Sequence, residues 1–258
     1  MEDHRTVFGT VEREYWAEAA GLKPDEKALI DRYLDRDATT LEAGTGGGRI
    51  LSEMSRLGFT SLAGFDFVPE LVSKARTADP TGEIRFEVGD ARRLEYPDAG
   101  FEQVLYLQQL LSAIEDEGDR SRVIREAHRI LAPGGVALFS VLPYEVRTRS
   151  ARHRPYLLYL GAVRRVRRSD RPAQLLPRLR MRGRPNPAAL RDGGPHVYWY
   201  RAGEIESELT GAGFEVVAIG STPQVLARRM PATAAALRDE RLEGTLYVVC
   251  RRPAGGSV

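Results

Sequence analysis

The chain has 258 residues, 42% of them hydrophobic, enough for one α/β domain with an insertion and a full core without disulfide or metal staples. Its single cysteine, Cys250, has no partner, and its four histidines (His4, His128, His153, His196) lack ligand spacing, so neither a disulfide scaffold nor a bound metal is expected. The net charge of +2 hides an asymmetry: residues 143–195 carry 14 Arg against three acids (Glu145, Asp170, Asp192), a balance of +11, while the other 24 basic and 33 acidic residues balance at −9.

The opening, MEDHRTVFGTVEREYW, places charges where a signal peptide needs an apolar run, and no apolar stretch reaches the length of a membrane span. A cytoplasmic protein without a membrane partner is expected. Residues 1–38 read as a helical cap, with Tyr15, Trp16, Ala19 and Ala20, then Ala28, Leu29, Tyr33 and Leu34, at near-helical spacing. From Thr39 short apolar runs (TTLEA, SLAGFD, IRFEV, FEQVLYL, VALFSVL) alternate with amphipathic ones (RILSEMSRLG, PELVSKARTA, RSRVIREAHRILA). Strand and helix in this rhythm imply crossover units and a parallel sheet. The Pro133-Gly134-Gly135 step reads as a turn between helix and strand. The rhythm breaks at Pro143, where an Arg- and Pro-rich stretch with one apolar patch, PYLLYLGAV, is too poor in apolar residues to hold a core of its own. It reads as an insertion. VYWY, a helix at GEIESELTGAG, a strand at FEVVAIG, a helix around PATAAALRDE and a closing strand, GTLYVVCRR, complete the chain.

The most informative stretch is TTLEAGTGGGRI at 39–50. A strand ends at Ala43, and Gly44, Gly46 and Gly48 turn the chain into a helix that starts near Arg49 and offers unpaired amides. A dinucleotide fingerprint would need its third glycine at position 49, which is Arg, and the Gly-Lys-Ser/Thr ending of a phosphate loop is missing. Glu42 ahead of the bend would repel a pyrophosphate. It suits a cationic ligand such as S-adenosylmethionine, which carries a sulfonium and an ammonium group.

E-A-G-T-G-G-G resembles the first motif of class I S-adenosylmethionine-dependent methyltransferases, and later landmarks follow in that family's order. The resemblance implies cofactor contacts from Glu42, Gly44, Thr45, Gly46 and Gly48. It implies Asp66 at the ribose hydroxyls, Phe67 against adenine, and Asp90 with the Ala91 amide at the adenine edge. Gln108, after FEQVLYL, and Tyr15, as part of a lid, complete the cofactor set. Asp66 and Asp90 are equally placed to cap the helices that follow them. The family match runs from Thr39 to Leu142 and resumes at GEIESELTGAGFEVV. It implies a doubly wound, mostly parallel seven-stranded sheet of order 3-2-1-4-5-7-6 with the last strand antiparallel. Residues 39–258 then form the methyltransferase domain, with 143–200 as a substrate-side insertion.

Methyl transfer from a sulfonium depends chiefly on alignment and needs a base only for a protonated nucleophile. Candidate acceptor-side residues are Gln109 at the fourth strand, and His196 and Tyr198 in GGPHVYWYRAGEI, where His196 is equally a packing residue. The basic insertion suits an anionic small-molecule acceptor methylated on oxygen or nitrogen. YWYRAGEIESEL is similar to the same region of wobble-uridine tRNA methyltransferases, which makes RNA the alternative acceptor, although the aromatics are not interleaved with the arginines as stacking platforms require. A cofactor-binding subunit without turnover is the third reading.

Overall fold

The computed structural model describes residues 21–181 and 184–255. Tyr15, Trp16 and the first part of the expected helical cap lie outside the described residues.

The chain opens with α1 (Pro24–Tyr33), started by Pro at its first turn and by Asp25 and Glu26 at its positive end. The α/β rhythm follows: β1 (Thr40–Ala43), α2 (Arg49–Arg56), β2 (Leu62–Asp66), α3 (Pro69–Ala78), β3 (Arg85–Val88) and β4 (Phe101–Tyr106). Then come the short α4 (Leu110–Ala113), α5 (Glu117–Ile130) and the long β5 (Leu131–Pro143). The N-cap of α5 is Asp116, which accepts the Asp119 amide at 2.8 Å, and His128 and Arg129 oppose the dipole at its other end.

Beyond β5 lie α6 (Tyr144–Thr148), α7 (Arg154–Arg167), β6 (Leu175–Pro177), the paired β7 (Arg180–Met181) and β8 (Arg184–Pro185), and β9 (His196–Tyr200). The chain ends with α8 (Ala202–Gly211), β10 (Glu215–Ser221), α9 (Thr222–Leu226) and β11 (Leu246–Arg251).

The main sheet has the order β3-β2-β1-β4-β5-β11-β10. β1 to β5 run parallel, and β11 lies antiparallel to both neighbours, with Tyr247 opposite Ser140 on β5 and opposite Gly220 on β10. This is the doubly wound order the sequence implies. Two details differ. β5 outruns β4, whose Tyr106 pairs with Phe139, and VYWY fills the freed edge: Leu142 pairs with Trp199 and Pro143 with Tyr200 in β9, with β6 against it. The sheet therefore holds nine strands rather than about seven. Pro133-Gly134-Gly135 is no separate turn but a bulge within β5, lying between the Phe101–Leu131 and Gln103–Val136 pairs, with Gly134 at φ 81°.

Alternation along β4 puts Val104 and Tyr106 on one face, against α5 and α8, and Leu105 with Leu107 on the other, against α1, α2 and α3. Both faces are covered, which is why β1, β2 and the second half of β4 are buried on both sides. PATAAALRDE forms only a 3-10 turn at Ala234–Leu237 rather than the expected helix.

The insertion packs on the sheet rather than on itself. Leu160, Leu176, Tyr144, Val197 and Trp199 form a small buried cluster with Leu142, Tyr156 and Leu157. The segment builds a core because it borrows β5 and β9 as a floor.

Candidate active site

The bend after β1 is built from three left-handed glycines, Gly44, Gly46 and Gly48 at φ 67°, 56° and 80°. A Cβ on Gly44 would sit 2.7 Å from Leu110 Cδ1, so this glycine also lets the β4 loop approach. The Thr45 amide donates to Phe65 O on β2 at 3.0 Å, fixing the bend against the neighbouring strand tip.

Glu42 lies wholly inside, at 0% exposure. Thr45 Oγ1 donates to it at 2.8 Å and Gln108 Nε2 at 3.4 Å. Burial pushes its carboxyl up to about 8, against the opposing pull of the Thr45 hydroxyl and the Arg49 charge. Asp66, at the tip of β2, accepts the Gly46 amide at 2.9 Å on one oxygen and the Val68 amide at 3.0 Å on the other. Burial raises its pKa, with those amides working the other way. Val68, rather than Asp66, is the N-cap residue of α3, and Asp66 joins the glycine bend to the turn that enters that helix.

Asp90 follows β3 and is linked to β2 through the Gly89 amide, which donates to Asp66 O at 3.0 Å. Its carboxylate is gripped by Arg92 (Nη2 to Oδ2 2.6 Å), which also reaches Asp119 at 2.9 Å. Those two acids hold the Arg92 guanidinium more firmly protonated than usual. Phe67 and Ala91 beside these strand tips are half-buried.

Gln108 and Gln109 both adopt φ 59°, two successive left-handed non-glycine residues immediately after β4. Such strain costs about 1–3 kcal/mol per residue and concentrates at functional sites. It is held by Ser140 Oγ, which accepts the Gln109 amide at 2.9 Å, and by Thr245 Oγ1, which accepts from Gln109 Nε2 at 3.0 Å.

Sequence reasoning missed Glu26. It forms a two-point buried ion pair with Arg49, the first residue of α2, and Arg49 also donates to Gly21 O at 2.7 Å. Next to it, Asp25 accepts the Thr222 hydroxyl at 2.7 Å. The Pro-Asp-Glu start of α1 signals a helix N-terminus but carries no sign of these distant partners.

The structure draws Glu42, Thr45, Gly46, Asp66 and Gln108 into one hydrogen-bonded unit, with Gln109 alongside. His196 and Tyr198 belong to other networks. His196 is buried, its Nε2 3.3 Å from Asp192 Oδ1, and its amide donates to Glu115 at 2.9 Å. Tyr198 donates its hydroxyl to Glu204 and lies under Arg120, whose guanidinium carbon is 3.7 Å from the ring centroid. Both side chains fasten β9 to its surroundings, the packing alternative for His196. The arginines divide similarly. Arg164 is buried against Asp192 at 2.8 and 2.9 Å; burial alone would raise the Asp192 pKa, but Arg164 holds it below the usual range. Arg147 stacks on Trp199 at 4.1 Å from the ring centroid.

Comparison with known proteins agrees with this geometry. A curated relative, the 27-O-demethylrifamycin SV methyltransferase of Amycolatopsis mediterranei, is 33% identical over 131 residues, 47% of each chain. The demethylmenaquinone methyltransferase of Deinococcus radiodurans is 36% identical over 98 residues, 37% of this chain and 39% of its own. The match thus spans about half or less of these relatives' length. A solved S-adenosylmethionine-dependent methyltransferase of Methanosarcina mazei superimposes with a TM-score of 0.66 at 20% identity, over 90% of this chain and 99% of that one, and so shares its fold. Residues 15–219, well over half of the chain, match the family model described as a methyltransferase domain; with its doubly wound sheet and glycine bend, this protein belongs to the methyltransferase domain family and has the class I fold.

Proposed function

We propose that the protein transfers a methyl group from S-adenosylmethionine to an oxygen or nitrogen of a small metabolite or natural-product intermediate bearing an anionic group. The observation that carries this reading is Glu42, a carboxyl enclosed at the glycine bend and one strand away from the buried Asp66. A buried acid beside a ligand loop favours a cationic guest. Arg49, the nearest basic candidate for holding a phosphate, is committed to Glu26, which disfavours a dinucleotide.

The residues fit the cofactor. A carboxylate has about four acceptor positions; the Gly46, Val68 and Phe67 amides occupy three on Asp66, which leaves one for a ribose hydroxyl. Glu42 would meet the cationic part, Phe67 the adenine ring, and the Ala91 amide the adenine edge. Asp90 acts there chiefly by shaping the turn, since Arg92 holds its side chain. When bound, S-adenosylmethionine supplies an electrophilic methyl group with a good leaving group. What remains is alignment, worth several kcal/mol in a near-attack geometry. The strained Gln108–Gln109 step, pinned by Ser140 and Thr245, provides a rigid rim for it.

Arg147 supports the anionic acceptor. It follows the tip of β5, has no ion-pair partner among the described residues, and its Nε is buried without a hydrogen-bond acceptor. Burial lowers its pKa. A half-buried guanidinium without a counter-ion is costly unless a ligand supplies one. The free, buried thiol of Cys250 suits a reducing cytoplasm.

Calorimetric titration with S-adenosylmethionine and S-adenosylhomocysteine tests the cofactor site. Binding that falls at least about tenfold, or 1.4 kcal/mol, in both Glu42→Gln and Asp66→Asn is expected, and no binding by the wild type ends the reading. Salt-sensitive retention of tRNA on a filter would instead favour RNA, and cofactor binding without transfer to any cell-extract fraction would favour a subunit without turnover.

A further inference from the structure

The outward face of α7 is apolar where a soluble helix should be polar. Its inward side carries buried Leu160 and Arg164, with Tyr156 and Leu157 half-buried against the small cluster. At 3.6 residues per turn the opposite side should present charge. It presents Pro155, Leu158, Ala162 and Val166, with Leu158 75% and Val166 84% exposed. Tyr159, 48% exposed at the margin of this stripe, donates its hydroxyl to Leu190 O at 2.8 Å and so sets Leu190, 55% exposed, beside it. Among the described residues, four of the six large hydrophobic side chains that are exposed gather on this helix and its prop. Arg154 and Arg165 border the stripe on α7, and Arg152, Arg168 and Arg191 follow just beyond, all exposed.

We propose that α7 is an in-plane docking helix for an anionic lipid bilayer. Leu158, Ala162 and Val166 enter the boundary between headgroups and acyl chains, and the flanking arginines meet lipid phosphates. The charge pattern selects this occupant. A second copy of the chain, packed symmetrically, would bring two segments of +11 face to face. A bilayer containing anionic lipid offers the opposite sign together with an apolar layer of the required depth. No described helix is long and apolar enough to cross a membrane, but an in-plane helix needs no span. The inference goes beyond methyl transfer and does not rest on it.

Flotation of the full chain with vesicles tests the proposal. Vesicles of phosphatidylcholine mixed with phosphatidylglycerol should retain the protein at low salt at least about tenfold better than phosphatidylcholine alone, and added salt should release it. Leu158→Asp/Val166→Asp should lose at least about tenfold of that retention, with melting temperature and S-adenosylhomocysteine affinity unchanged as the check on folding. Absence of flotation at low salt overturns the proposal, as does equal flotation of the double variant. A dimer broken by the same double variant, without flotation, assigns the face to a second copy. Retention on immobilised polyglutamate without flotation assigns it to an acidic protein. Either of those results overturns the bilayer.

Discussion

The guanidinium of Arg49 and the carboxylate of Glu26 meet in a buried two-point pair, Nη1 to Oε2 at 2.6 Å and Nη2 to Oε1 at 2.9 Å. The pair ties α1 to the first residue of the helix that leaves the glycine bend, so the entry segment and the cofactor loop move as one. Removing one partner leaves an uncompensated buried charge, at a cost of about 3–5 kcal/mol. Arg49→Met and Glu26→Gln should each lose that order of stability in urea denaturation and weaken cofactor binding. The double variant should lose clearly less than the sum; strict additivity would refute the coupling.

Glu42 gives a pH dependence of defined sign. Its carboxyl titrates near 8 in the folded chain against an ordinary 4.5, so between those values the folded state holds the extra proton. Its contribution is complete below about pH 4.5 and is lost as pH rises through 8, to a ceiling of about 5 kcal/mol in the ligand-free protein. A cationic ligand favours the ionised form. Cofactor affinity should therefore rise by up to about tenfold per pH unit to about pH 8 and then level off. Calorimetry across that range checks it. Glu42→Gln should bind without the slope, close to the wild type at low pH and more weakly as pH rises toward 8.

Gly64, in the middle of β2, has ordinary extended backbone but no room. A Cβ there would lie 2.6 Å from Leu51 Cδ1 and 3.0 Å from Thr45 Oγ1. Gly64→Ala should cost about 1–3 kcal/mol by overpacking and should loosen cofactor binding, because Thr45 is the hydroxyl that holds Glu42. Gly203→Ala, with nothing within 4 Å inside α8, should stabilise by about 0.5–1 kcal/mol. Thermal melts of the two variants moving in the same direction would contradict this reading.

Gln109 separates strain from contact. Gln109→Gly removes the left-handed penalty along with the bond to Thr245, so stability should change by less than about 1 kcal/mol. Turnover should fall at least about tenfold with cofactor affinity kept, an interaction felt by the reacting groups rather than by binding. A parallel loss of cofactor affinity would place Gln109 in cofactor binding instead.

His196→Asn tests the partners that the structure gives that residue. Loss of the contact to Asp192, itself shared with Arg164 and Arg171, should cost about 1–3 kcal/mol of stability and leave the acidic limb of the pH–rate profile in place. Disappearance of that limb would restore His196 as a base.

The elements and the glycine bend were legible because each is local: period-two and near-helical apolar spacing set the elements, and three glycines after an acid set the bend, while the sheet order followed from the resemblance to the family. The unit of Glu42, Thr45, Asp66 and Gln108 follows from parallel strands ending at one edge. Glu26 was not legible, since a helix-starting acid looks the same whether it faces water or an arginine 23 residues away. The partners of His196 and Tyr198 were not legible for a related reason. VYWY reads as an aromatic strand, but not as one that extends β5 and turns Tyr198 toward Arg120 and Glu204. The same extension explains how an Arg-rich segment acquires a core.

At the foot of the segment that follows β5, Glu145 Oε1 accepts the Ala202 amide at 3.0 Å, so the point where the chain leaves the scaffold and the point where it returns are stitched together. A stretch closed at its base behaves as a cassette. Doubling the length of such a loop adds only about 0.6 kcal/mol of closure entropy, and the stitch spares the strands from any rearrangement above it. On the proposed reading, in which Arg147 on this segment meets the acceptor, chemical taste can then evolve, or be engineered by exchange, in that segment while the glycine bend stays as it is.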